Sequence, residues 1–561
     1  MAVAGEYDYV IVGAGSAGCV LANRLSADPH VRVLVLEACG ADRHFWLRLP
    51  VGYFRTIYDP RFSRVFDTEP CEGTAGRSVP WPRGRLLGGS SSINGLLYIR
   101  GQHGDFDEWA ARGARGWDYA SVLPYFKRSE RYEGGESEYH GGHGELGVSD
   151  LRNDHPYCEA WLAAARELGL PFNPDFNGAQ DQGVGRYQLT LRKGWRCSAS
   201  VAFLRPALVR PNLTVQTHAH VSRVCIERGV ATGVEWVREG RVERARAARE
   251  VILAAGALQS PQVLQLSGIG PGALLRSLGI PVVVDAPEVG ANLKDHYQAR
   301  TIVRLRKPMS LNDDVRNPLR LAAMGANWVL RQRGPLTVGA GQVGGLARTE
   351  HAPDARADIL FNVMPLSVDK PGAPLHRYSG FTASAAQCRP RSRGSVEITS
   401  TDPFASPRIH THYLAEELDR RTLVAGVRML REIYGQSAFR GLVEREELPG
   451  PGCRSDAAML DFAREKGGTV FHAAGTCRMG SDAHAVVDAD LRVQGLDALR
   501  VIDASVMPEL VSTNTNAAAI MIGEKGAAHV LGVAMLPPRE ATGAAAAEAR
   551  SDRMRSAVGP A

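Results

Sequence analysis

The segment that most constrains this chain lies at its start. Tyr7 to Val12 reads as a short buried strand and Gly13-Ala14-Gly15-Ser16-Ala17-Gly18 as a glycine-rich turn. Ala17 to Ala27 reads as a helix, and Val31 to Leu36 as a second strand that runs into Glu37. Gly13 permits the tight turn, Gly15 lets the backbone approach a pyrophosphate, and Gly18 lets helix and strand pack closely. The free N–H groups and the positive dipole end of the helix favour the phosphates. Glu37 is placed for a ribose hydroxyl pair. A bare glycine turn needs no ligand, but the whole strand–turn–helix–strand–Glu context points to a dinucleotide. It does not separate NAD from FAD.

The rest of the chain narrows the class. Its 561 residues exceed one simple core, so two domains or one large composite are expected. A net charge of +6 is weak over this length and forms no block, which argues against a nucleic-acid partner. Nine cysteines without a C-x-x-C pair read as reduced thiols. With no signal-like N-terminus, the expected location is the cytoplasm. No run of roughly 18 apolar residues occurs, so no membrane span is expected. Peripheral contact with the inner face of a membrane stays open. His218/His220 and His410/His412 have the H-x-H form, but no cysteine or carboxylate cluster joins them in sequence, and no metal is expected. No G-x-S-x-G elbow is present, which removes the α/β-hydrolases. Beyond Met535 the chain is Ala-rich and weakly apolar, and 536–561 reads as a disordered tail.

A second glycine-rich stretch separates the cofactors. Residues 83–101 read Arg-Gly-Arg-Leu-Leu-Gly-Gly-Ser-Ser-Ser-Ile-Asn-Gly-Leu-Leu-Tyr-Ile-Arg-Gly. Gly256-Ala257-Leu258-Gln259-Ser260-Pro261 follows, then Gly290-Ala291-Asn292-Leu293-Lys294-Asp295-His296. Near the end stand His472-Ala473-Ala474-Gly475-Thr476-Cys477, Asp503-Ala504-Ser505 and Asn514-Thr515-Asn516. In order and spacing these segments resemble the glucose–methanol–choline oxidoreductases over about residues 6–533, in the branch of the choline-dehydrogenase-like and alcohol dehydrogenases.

The resemblance implies an α/β fold: a discontinuous, Rossmann-like FAD domain (5–150, 190–298 and 466–534) with an interleaved α+β substrate domain (151–189 and 299–465). It implies that Gly13, Gly15, Gly18 and Glu37 hold the ADP half of FAD. Gly88, Gly89, Ser92, Asn94 and Gly95 would lie along the pyrophosphate and flavin. Val221 would offer its backbone to the adenine, and Gly256, Asp503 and Ala504 would complete the cofactor site. Cys39 stands where many members have Gly. Ile93 stands where covalently flavinylated members carry His, which implies non-covalent FAD.

The resemblance also marks His472 and Asn514 as catalytic. Neutral imidazole can take a hydroxyl proton near neutral pH as hydride leaves the carbon. Asn514 would hydrogen-bond the substrate oxygen and also cap the following helix. Choline-type members carry a glutamate just before an x-Gly-Gly segment; here Gln342-Val343-Gly344-Gly345 matches it. Val315 to Thr349 contains no Asp or Glu, and Trp328 is its one aromatic residue. A buried quaternary ammonium without a counter-charge is costly. The expected reaction is therefore oxidation of an uncharged primary alcohol, aliphatic or aryl, to the aldehyde, with a quinone or other carrier as acceptor. An oxygen-using aryl or furanic alcohol oxidase and a choline dehydrogenase remain the alternatives.

Overall fold

A computed structural model describes residues 2–370 and 372–539. Strand β1 (Ala2–Val12) pairs in parallel with β2 (Val33–Leu36) on one side and with Arg241–Leu253 on the other. Leu213–Gln216 adds beyond β2, and Leu499–Val501 adds beside Arg241–Leu253, both parallel. Val230–Arg238 and His220–Glu227 extend the far edge antiparallel and complete a seven-stranded sheet. The central strands are apolar throughout because both faces are covered: Val10, Ile11, Val33, Val35, Val251 and Ile252 are all fully buried. Helix α1 (Ser16–Leu25) follows β1 and packs on helix Thr515–Leu531 from the far end of the sequence. The expected opening unit is present, with the helix and second strand shorter than their sequence pattern.

A second seven-stranded sheet is antiparallel. Its order is Val443–Leu448, Tyr297–Leu305, Gly380–Gln387, Ile359–Met364, Val343–Ala347 and Gly183–Arg186, with Gly468–Thr469 beside Tyr297. Side chains alternate along each strand. Val303, Phe361, Val363, Phe381, Ala383 and Ala385 belong to one core with Trp161, Leu430 and Ile433 of helices Pro156–Glu167 and Glu417–Gly435. The opposite face presents Gln298, Arg300, Asn362, Met364, Thr382 and Ser384 to a cavity shared with the first sheet. This sheet is thus a wall with one dry side and one polar side. A one-residue register slip would exchange them.

The segment read as a tail begins docked. The Leu536 backbone N–H donates to the Tyr125 hydroxyl (3.0 Å), and that of Arg539 donates to the Ala120 carbonyl (2.9 Å). The remainder, 540–561, lies outside the described residues. The nine cysteines are all free thiols.

Candidate active site

The cavity begins at the glycine turn. Gly13 has φ of +100°, and a Cβ there would stand 2.6 Å from the Ala254 carbonyl oxygen, so no other residue fits. Gly15 lines the cavity, and a Cβ on it would meet only that same oxygen, at 3.8 Å. The space beside it is open to a ligand. Gly18 lies off the cavity: its Cβ would fall 2.0 Å from the Gly13 carbonyl oxygen, so it serves the close helix–strand contact. Glu37 is buried at the end of β2, accepting from the backbone N–H of Ala14 (3.0 Å) and of Cys39 (3.2 Å). Burial raises its carboxyl to about 7 against the pull of those amides. Cys39 is absent from the positive-φ residues, so this turn does not require glycine there.

The second glycine stretch folds across the first. The Gly88 N–H donates to the Ala14 carbonyl (2.7 Å), and a Cβ on Gly89 would stand 2.8 Å from the Gly15 Cα. Gly89, Asn94 and Gly95 line the cavity. Gly88 and Ser92 do not; the Ser92 hydroxyl donates back to the Leu87 carbonyl (2.9 Å) and holds the turn. Arg196, fully buried, donates to the Asn94 side chain and carbonyl (both 2.7 Å) and to the Ser91 carbonyl (3.2 Å). It fixes the loop from below, a role sequence reading missed. Val221, Gly256, Asp503 and Ala504 complete this half of the lining. Asp503 accepts from Gly256 N–H (2.8 Å), the Ser260 hydroxyl (2.6 Å) and Ser505 N–H (2.8 Å), tying its own turn to the distant 256–260 segment.

The chemistry-bearing groups meet at the other end. His472 and Asn514 both line the cavity, and Asn514 Nδ2 lies 3.1 Å from His472 Nε2. The Asn514 side-chain oxygen is buried without a partner, and the residue precedes helix Thr515–Leu531 without a side-chain cap bond. Its cap role is therefore positional only. His472 Nδ1 lies 2.8 Å from Nδ1 of His296, and His296 Nε2 lies 2.8 Å from the Cys388 carbonyl oxygen.

That chain of contacts fixes protons. A carbonyl only accepts, so His296 must donate from Nε2. Burial holds His296 near a pKa of about 4, hence neutral, so its Nδ1 accepts from His472 Nδ1–H. His472 is left with a lone pair on Nε2, which lies at the cavity and accepts from Asn514 Nδ2. Burial first, then His296 and Arg83, keep His472 neutral well below the usual imidazole range. The His472 backbone N–H donates to Asp295 (2.7 Å), whose carboxylate also accepts from the Tyr413 and Thr469 hydroxyls. Asp295 and His296 lie in a segment singled out from the sequence, but nothing there gave them these roles.

Gln342 is not at the cavity. It is 1% exposed, and its side-chain oxygen accepts from Asn153 Nδ2 (3.0 Å) inside the substrate-side core. The substrate position assigned to it by motif is corrected: the polar wall comes from Gln298, Arg300, Asn362, Thr382 and Ser384. Trp328 is also elsewhere, with Nε1 donating to the Gly194 carbonyl (3.0 Å). Among the described residues no group of three or more His, Cys, Asp or Glu side chains is placed to hold a metal.

The lining fits FAD. Bare backbone at Gly15 leaves room for a pyrophosphate, Glu37 stands where a ribose diol would reach, and one continuous cavity runs from there to His472. A family model described as GMC oxidoreductase matches residues 7–298, and a second with the same description matches 390–523. The chain is 40% identical to the mitochondrial choline dehydrogenase of Mus musculus, covering 94% of this chain and 90% of that protein. It is 39% identical to an alcohol dehydrogenase [acceptor] of Pseudomonas putida, covering 93% and 95%. A solved structure of Aspergillus oryzae formate oxidase, a variant made to study FAD modification, superposes with a TM-score of 0.88 at 26% identity, covering 95% of this chain and 99% of that one. Fold, cavity and family matches agree: the chain belongs to the GMC oxidoreductases, FAD-dependent flavoproteins that act on CH–OH donors.

Proposed function

We propose that the protein oxidises an uncharged primary alcohol, aliphatic or aryl, to the aldehyde, with His472 as the general base. The observation that carries this reading is the relay from the Cys388 carbonyl through His296, which leaves the lone pair of His472 Nε2 at the cavity. Asn514 Nδ2 donates to that nitrogen at 3.1 Å, and an incoming hydroxyl would take the place of this contact, its oxygen accepting from Nδ2 while Nε2 accepts its proton. FAD, when bound, supplies the acceptor for the hydride. His472 takes the proton and the carbinol carbon loses the hydride, so the alcohol loses two electrons and becomes the aldehyde. A quinone or another electron carrier is the proposed acceptor, which would bring the protein to the inner face of a membrane.

Flavin attachment follows from Ile93. This residue lines the cavity, is 2% exposed, packs with Leu47, Phe62 and Leu86, and offers no nucleophile for a covalent link. Acid precipitation is expected to leave the yellow flavin in the supernatant; flavin retained on the pellet contradicts this.

Charge along the cavity bears on the substrate. The sheet face that walls the His472 end contributes one cation, Arg300, and no carboxylate. Arg300 donates to the backbone carbonyls of Val368 (3.2 Å) and Asp369 (3.3 Å), and no carboxylate lies within ion-pair distance among the described residues. The carboxylates of the described lining are Glu37 and Asp503, both held by backbone amides of the nucleotide half. A quaternary ammonium would enter this end unpaired and beside a like charge. The relatives named choline dehydrogenase favour choline as the substrate instead, and the two readings make opposite predictions. We expect kcat/KM for 3,3-dimethylbutanol to exceed that for choline by at least roughly tenfold, about 1.4 kcal/mol. A tenfold preference for choline would overturn the uncharged-substrate reading.

A further inference from the structure

Helix Pro318–Arg331 turns its apolar side to solvent. Leu319, Ala322, Ala323, Ala326, Val329 and Leu330 share one face at helical spacing, and all are exposed, Leu319 and Leu330 by 81% and 80%. The helix meets the body through Trp328, its buried residue, on the opposite side. An amphipathic helix on a protein surface ordinarily points this stripe inward.

Two further features surround the stripe. Phe45, half exposed, sits edge-on to Trp195 and Trp328 at 6.2 and 6.5 Å between ring centroids. At the C-terminal end of the helix, the turn carrying Arg192 and Lys193 packs through Gly194 on Gln332, beside Arg331 and Arg333. These four cations are exposed, and none has an ion-pair partner among the described residues. Arg316 and Arg320, at the other end, are neutralised by Asp313 (2.8 Å) and Asp314 (3.1 Å).

We infer that this helix is the surface by which the protein rests on an anionic lipid bilayer. The apolar stripe would enter the headgroup–acyl boundary, the aromatic group would sit at headgroup level, and the free cations would meet lipid phosphates. No helix among the described residues is long and apolar enough to cross a membrane, so the contact lies in the plane of the surface. The chain leaving the helix soon reaches Ala340, which lines the cavity, and the Gly339 carbonyl accepts from the hydroxyl of Tyr53, another lining residue (3.2 Å). A bilayer at the helix would therefore lie beside the substrate end of the cavity. This gives a location to the membrane contact in the proposed function, and its test reads binding without turnover, so either can fail alone.

The test is flotation of the full-length, FAD-loaded protein with vesicles of phosphatidylglycerol and phosphatidylcholine, against phosphatidylcholine alone. The protein should float with the anionic vesicles. A Leu319→Glu/Leu330→Glu variant should bind at least roughly tenfold more weakly while dye-linked turnover in solution is unchanged. Arg331→Gln and Arg333→Gln should each weaken binding roughly fivefold, as added salt should. Three results overturn the inference: wild-type protein that stays with the pellet, a double-glutamate variant that floats as well as wild type, or a wild-type dimer that the same variant splits. The last would mean that a second copy covers the stripe.

Discussion

Replacing His472 with Ala is expected to leave the flavin bound and to slow its reduction by alcohol at least roughly 100-fold, about 2.7 kcal/mol of barrier. His472 is 8% exposed at the cavity, and its backbone is held by Asp295 whatever its side chain, so the fold around it should persist. What is lost is the lone pair at Nε2. Without it the hydroxyl proton must leave to water or remain through hydride loss. Stopped-flow mixing with substrate reads this step directly, and a near-normal rate in the variant removes His472 as base. Asn514→Ala should be milder, since it would lose a donor to the oxygen and to Nε2 but leave the base in place.

The next largest effect is expected at His296, which lies behind His472 and is not itself part of the cavity lining. His296→Ala leaves His472 Nδ1–H without its acceptor, so the ring can rotate or shift its proton to Nε2 and lose the lone pair from the cavity. Groups that fix the tautomer of a reacting histidine typically matter by about 10–100-fold, and a loss of that size in the flavin-reduction rate is expected. His296→Gln should recover most of the rate, because a side-chain amide oxygen can accept the same bond. Equal losses in the two variants would show that His296 only fills space.

The local parts of this arrangement were legible in the sequence, and the non-local parts were not. Gly13, Gly15 and Glu37 act through a turn, a helix end and the adjoining strand, all within thirty residues, so spacing alone placed them. Gly88 and Ser92 carry the right residue types but spend them on turn geometry, which only the backbone path reveals. His296 and His472 are 176 residues apart, and their contact exists because Tyr297–Leu305 and Gly468–Thr469 pair at the edge of the second sheet. Gln342 fails for a related reason. It precedes strand Val343–Ala347 and points into the core beside Asn153, a direction that a matched Gly-Gly cannot tell. Arg300 reaches the cavity by strand alternation in a sheet whose dry and polar sides depend on which helices cover it.

Anaerobic mixing of the flavin-loaded protein with uncharged primary alcohols tests the proposed reaction most directly. Flavin absorbance should bleach within the time of turnover, with one aldehyde formed for each flavin reduced, and without added acceptor the reaction should stop there. If a broad panel of aliphatic and aryl primary alcohols leaves the flavin oxidised while another class of donor bleaches it, His472 and its relay serve a different reaction.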